Sequence, residues 1–285
     1  VSIDLSLLPA PAVIEPLDYE TILATIKADV LALAPELADV LALESEPITK
    51  LCQVVSYREL LLRARINGAA RATMLAYAEG TDLDHRVALI GVERLPGESD
   101  TRLRARAQIS PEGYSTAGPT LSYVFHALSA STQVADVYVD SPAPGDVRVT
   151  VLALPSANNP GGAPGAALLD QVRAALNADD VRPLNDNVVV EAASIITYAV
   201  SATLVFLPGP DIATAMQAAA TVCQEYVDGQ FKLGYDVTVS GLHAALHQPG
   251  VMRVDLVSPT GNIIVANNRA ARCTGVTVNF GGVAS

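Results

Sequence analysis

The sequence predicts an α+β protein: an N-terminal helical arm or bundle followed by two small α+β modules with mixed or antiparallel sheets. Three observations predict it. Apolar residues recur at helical spacing through roughly the first 130 positions. From Gln133 the pattern changes to short alternating runs rich in Val, bounded by turns that carry Pro and Gly. Those strand-like runs are interleaved with single helical segments, and the arrangement partly recurs. The corresponding regions are residues 1–130 (helical), 131–193 (first module) and 194–285 (second module), with a soft boundary near Ala193.

LDYETILATIKADVLAL sets Ile22, Leu23, Ile26, Val30 and Leu33 at helical spacing, with Asp18, Glu20, Lys27 and Asp29 off that stripe. Pro35 interrupts, and ELADVLALES resumes. ITKLCQVVSYRELLLRARINGAARATMLAYA reads as a second long helical region, with Gly68 expected to be a weak point or a break. Asp82 and Asp84 flank the start of an expected short helix, which Gly91 can end. Pro96-Gly97 marks a turn. Ser99 then stands where an N-cap belongs, with Asp100 in the first turn. In that helix Glu98 would pair with Arg102, and Asp100 with Arg104, at i,i+4. Pro111 and Gly113 stop it, and TAGPTLSYVFHALSAS gives one more helix, entered at Thr116 or after Pro119.

QVADVYVD and DVRVTVLAL are alternating runs joined by SPAPG, a hairpin pattern. NNPGGAPG is a loop, AALLDQVRAALN a helix and NVVVEAA a strand. The second module continues with a strand in ITYAVSATLVFL, a helix from Ile212 to about Val227, a helix in SGLHAALHQ, and strands in GVMRVDLVS and CTGVTVNF. Ala192 to Pro210 holds no charged residue and approaches the length of a membrane span. It alternates instead, with Tyr198, Val200, Ala202, Leu204 and Phe206 on one face and Ser201 and Thr203 on the other. Period two means strand, so no membrane partner is expected.

Composition narrows the function classes. Half the residues are hydrophobic but only 5% are aromatic, with no Trp, so the core must be built from Ala, Val, Leu and Ile. The net charge of -12 argues against nucleic acid, whose phosphates need a basic surface. Nine of the 18 basic residues lie between Arg58 and Arg106, among seven acids, so that window sums to +2 and the rest of the chain to -14. Arginines interleaved with acids read as ion pairs or interface contacts rather than a phosphate track. Cys52, Cys223 and Cys273 are far apart and odd in number, which suggests neither a disulfide framework nor a CxxC site, and fits a reducing cytoplasm during folding. The first residues show no basic stretch leading into an apolar core, so no secretory leader is expected.

The chemical motifs are near misses. His243 and His247 have HExxH spacing without the Glu or a third ligand, so no metal is expected. GYSTAG, residues 113–118, has Ala117 where a nucleophile elbow needs Gly, and lacks the preceding strand. Glu98 and Asp100 occupy adjacent cap positions, not the facing elements that glycoside hydrolysis requires. NNPGGAPG lacks the Gly-Lys-Ser/Thr ending of a phosphate loop. Neither catalytic nor cofactor-binding residues are expected, and no enzyme.

Five segments carry a resemblance: LALESEPITKLCQVVSYRELLLRARINGAARATMLAYAEGTDLD, GVERLPGESDTRLRAR, SPEGYSTAGPTLSYVFHALSAS, SPAPGDVRVTVLA and ALHQPGVMRVDLVSP. Together they resemble the baseplate assembly protein J family of contractile-tailed phages and related tailocins, from about Leu41 to Gly282. Asp82, Leu83, Asp84, Gly91, Val92, Arg94, Glu98 and Arg104 form the most family-specific part, and HRVALIGV departs from it at His85 and Arg86. The resemblance implies a structural, non-catalytic baseplate wedge subunit, assembled in the bacterial cytoplasm and carried in the virion or tailocin. It implies two copies of this chain with one I-type tail protein, joined through N-terminal helices. The C-terminal modules of neighbouring copies would close a ring around the tail tube that widens when the sheath contracts. Further baseplate proteins would link it to the sheath and the tube hub. Partner contacts are then expected from Ile22, Leu23, Ile26, Val30 and Leu33 in the arm and from Arg94, Arg102, Arg104 and Arg106. The competing classes are a tail-associated peptidoglycan hydrolase and a receptor-binding module. The latter usually shows fibre-like repeats, and no such repeat is present.

Overall fold

In a computed structural model, residues 3–9, 11–114, 118–157, 159–209 and 211–284 are described. The chain divides into two compact units. The first holds residues 1–94 and 99–108, and the second holds residues 95–98 and 109–285.

The first unit is helical. α1 (Tyr19–Leu33) starts where Asp18 accepts from the backbone N–H groups of Glu20 and Thr21, at 3.1 and 3.4 Å. The carboxylate at that N-terminus is held below its usual range, first by the Thr21 hydroxyl. A 3-10 turn at Pro35–Leu37 and a single α-helical turn, α2 (Ala38–Leu41), follow. α3 (Pro47–Ala72) then runs 26 residues. It passes through Gly68 without the expected break. Gly68 costs about 1 kcal/mol of helix propensity relative to Ala, which a helix of seven turns absorbs. α4 (Gly80–Ala88) and α5 (Asp100–Ile109) complete the unit. Ser99 accepts from the Arg102 backbone N–H at 3.3 Å through its hydroxyl and from Leu103 at 3.0 Å through its carbonyl, as an N-cap does.

The second unit carries two three-stranded mixed sheets. α6 (Thr120–Ala130) follows Pro119. β1 (Val134–Asp140) and β2 (Asp146–Ala153) form the hairpin across SPAPG, and α7 (Ala166–Leu176) crosses over to β3 (Asn187–Ala192), parallel to β2. The sequence groups α6 with the helical region, but its packing puts it with this sheet. Tyr123 and Ala127 share a core with Val137, Val149, Val151, Val172 and Leu176.

The second sheet has the order β5-β4-β6. β4 (Ser194–Phe206) is its centre, antiparallel to β5 (Val251–Ser258) and parallel to β6 (Arg269–Val283). Val200, Ala202, Leu204 and Phe206 point into one core, as their period of two requires. Against them pack Ala215, Ala219, Cys223 and Val227 of α8 (Ile212–Gly229), four apart on one face, and Leu242 and Leu246 of α9 (Val239–Leu246). Burial there pushes the Cys223 thiol up to about 11, so it is a small core residue rather than a nucleophile. Among the described residues no helix is long and apolar enough to cross a membrane.

The two sheets are joined by a third, smaller core. Leu152, on the β2 face opposite Val149 and Val151, meets Ala193, Phe231, Leu233 and Ala270. Asp136 fixes the joint: its carboxylate accepts the Leu233 N–H at 2.9 Å and the Val137 N–H at 2.8 Å. Desolvation raises its pKa. Asp136→Ala should leave the Leu233 N–H unpaired and cost about 1–3 kcal/mol, read from urea unfolding.

NNPGGAPG has its explanation at the same joint. Gly162 has φ +73°, and a Cβ there would stand 2.8 Å from the Ala153 carbonyl oxygen and 2.6 Å from the Phe231 ring. Its own carbonyl accepts the Ala153 N–H. Gly162→Ala should destabilise the second unit by roughly 1–3 kcal/mol, a fall in its thermal midpoint that calorimetry can check.

Candidate partner-binding site

The arginine-rich segment is an internal clasp. Arg94 is held by two carboxylates, Asp84 of α4 at 2.6 Å and Asp100 at the start of α5 at 2.7 Å, and reaches the Gly80 carbonyl at 3.2 Å. Asp100 also accepts the Gly80 N–H at 2.9 Å. That backbone bond, then Arg94, keeps its carboxyl below the usual range. The expected i,i+4 pair from Asp100 to Arg104 does not form as an ion pair. Arg104 turns away to donate to the carbonyls of Leu75 and Ala78, both at 2.7 Å, while its charge still lowers the Asp100 pKa. These carbonyls lie in the connection between α3 and α4, beyond the last residue of α3. Arg106 is only 3% exposed and donates to the Glu93 carbonyl at 2.7 Å. Arg102 is half-buried. Arg94, Arg104 and Arg106 therefore hold α3, α4 and α5 of one chain together. The long reach of Arg side chains to carbonyls 13 to 29 positions away is invisible to a reading based on i,i+4 spacing.

The apolar residues expected to face partners divide. Ile22 is buried, Leu23, Ile26 and Val30 are half-buried, and Leu33 is 89% exposed. The first four contribute to the packing of the arm on itself, and Leu33 stands free of it.

The larger open surface is on α3. Its fully buried positions are small or polar: Thr49, Cys52, Ser56 and Asn67. Asn67 clamps the preceding chain, donating to the Glu15 carbonyl at 2.8 Å and accepting the Glu15 N–H at 3.0 Å. Arg63 adds ion pairs to Glu59 and Glu15. The other side presents Leu51, Val54, Val55, Leu61, Leu62 and Ile66, each 44–63% exposed. Arg58 and Arg65, seven apart and both exposed, lie on the same side. A soluble helix ordinarily buries its Leu-rich stripe. Here the small residues are inside and the stripe is outside. The sequence carries the signal in LCQVVSYRELLLRARI, where the apolar spacing of three and four is clear. It lacked an indication of which face the arm itself would cover.

The weighed chemical motifs gain nothing from the structure. His247 is the C-cap residue of α9, and its N–H donates to the His243 carbonyl at 2.9 Å. Glu98 is buried and accepts the Leu95 N–H at 3.0 Å, a turn-closing role. Residues 115–117 of GYSTAG lie outside the described residues. Among those described, no group of three potential ligands could hold a metal ion.

Comparison with known proteins places the chain among relatives along nearly its whole length. Residues 44–98 match the Baseplate J-like N-terminal domain, 115–192 the Baseplate J-like central domain, and 198–279 the Baseplate J-like protein C-terminal domain. The chain is 43% identical to Baseplate protein J of Escherichia phage P2 over 300 aligned positions, covering 98% of each.

Proposed function

The chain belongs to the baseplate J family, and on that premise we propose that it is a structural wedge subunit of a contractile injection tail, in a phage or an R-type tailocin. The observation that carries this reading is the exposed Leu-rich stripe of α3. An apolar helix face left open in a single chain is completed by helices of other chains. Two copies of this chain and one I-type tail protein supply those helices in a wedge heterotrimer. Arg58 and Arg65, one heptad apart, favour partner helices with carboxylates beside their apolar seam. The second unit closes the inner baseplate ring around the tail tube, and sheath contraction rearranges it. Other baseplate proteins connect it to the sheath and the hub, with assembly in the bacterial cytoplasm.

The protein performs no catalysis in this reading. The alternative, a peptidoglycan hydrolase, is tested by zymography of the purified chain. The expected result is no clearing. A lytic band abolished by a single Glu or His substitution would replace the structural reading. Hydrogen exchange gives a second check. Residues 17–64 should be less protected in a dilute monomer than in the assembly, because α3 lacks its apolar partner until then. Protection in the monomer as strong as in the assembly would contradict the bundle.

A further inference from the structure

We propose that β6 docks edge-to-edge with the β6 of a second copy of this chain, antiparallel and centred on Val278, making one continuous six-stranded sheet. This deepens the reading of the second unit as a contact between copies, and rests on it.

A sheet edge exposes unpaired backbone N–H and C=O groups, and proteins blunt such edges with charge, proline or shortness. The chain follows that rule at three of its four edges. β1 carries Asp136 and Asp140, β3 carries Glu191, and β5 carries Arg253 and Asp255. β6 carries Arg269 and Arg272 at its start but does not follow the rule beyond them. From Cys273 to Val283 it contains neither a charge nor a proline. One side pairs with β4 throughout. On the other side, among the described residues, the bridge from Leu233 to Ala270 is the only strand contact, and it lies before this run.

The register of β6 slips between Cys273 and Val276 and again between Phe280 and Val283, leaving Val276–Phe280 as a regular segment. A segment bracketed by two irregularities and centred on one residue suits a two-fold pairing, in which each copy offers the same strand. Antiparallel pairing about Val278 sets Val276 opposite the second copy's Phe280, a β-branched residue against an aromatic one, and Thr277 opposite its Asn279. Phe280 is 54% exposed and stacks on the buried Phe206, so it is fixed in place before any partner arrives. Charge allows a second copy at this edge. Two copies meeting antiparallel about Tyr138 of β1 would set Asp136 opposite Asp140, whereas about Val278 of β6 no charged residues within Val276–Phe280 are opposed.

The test is sedimentation of the full chain carrying Val55→Glu and Leu62→Glu, which removes association through α3. That chain should still dimerise. Adding Thr277→Lys and Asn279→Lys, both on the exposed face of β6, should raise the dimer dissociation constant at least tenfold with an unchanged thermal midpoint. On oxidation, an equimolar mixture of Thr277→Cys and Asn279→Cys chains should give the mixed disulfide well beyond the roughly twofold excess over each homodimer that random pairing produces. A dimer indifferent to the two lysines, disulfide yields in the random proportion, or a monomer at every concentration would overturn the β6 pairing. None of these results touches the helix-bundle reading, which fails separately if Val55→Glu/Leu62→Glu leaves binding to the I-type protein intact.

Discussion

Arg106→Glu is expected to unfold the helical unit. The Arg106 side chain lies almost wholly inside that unit and donates to the Glu93 carbonyl. The substitution places a carboxylate against a carbonyl oxygen and leaves the acceptor unpaired. Inverting a buried charge in this way costs about 3–5 kcal/mol, a large share of the stability of a small unit. Urea unfolding followed by far-UV circular dichroism should show the helical transition moved to much lower denaturant, with the transition of the second unit unchanged. An unchanged midpoint would mean that the guanidinium is not part of the fold. The result also separates two roles that composition alone confuses. Loss of assembly after Arg106→Glu reports a lost helical unit, not a lost contact between chains.

Val55→Glu together with Leu62→Glu should do the opposite. Both side chains are exposed on α3, at 45% and 61%, so the isolated chain should keep its stability to within about 0.5 kcal/mol. Its affinity for the partner helices should fall by about a thousandfold, the product of two apolar anchors worth about 2 kcal/mol each. Titration calorimetry or pull-down with the I-type protein reads that loss. Retained affinity would show that partners engage a different face.

The contrast between these substitutions shows what the sequence could disclose. Periodicity located the strands well: Val200, Ala202, Leu204 and Phe206 alternate into the core as their spacing requires. Ser99 as a cap was equally legible, because the interaction spans three residues. Arg104 and Arg106 were not legible as fold residues, since their acceptors are backbone carbonyls that no side-chain pattern marks. Gly68 misled in a simple way. A local helix breaker was outweighed by the 26-residue helix around it. The α3 stripe was visible as amphipathicity, but its direction depended on Asn67 being drawn inward by hydrogen bonds to the Glu15 backbone, while buried Ser56 satisfies its hydroxyl on the Cys52 carbonyl of the same helix. Polar residues on the inside face of a helix are a tertiary outcome, and they left the Leu face exposed.

The central claim is that this chain is an incomplete helical bundle finished by other tail proteins. Native mass spectrometry of the chain co-expressed with an I-type tail protein tests that most directly. The account predicts a complex of two copies of this chain with one I-type chain. Recovery of this chain alone, with the I-type protein free in the same preparation, would contradict it.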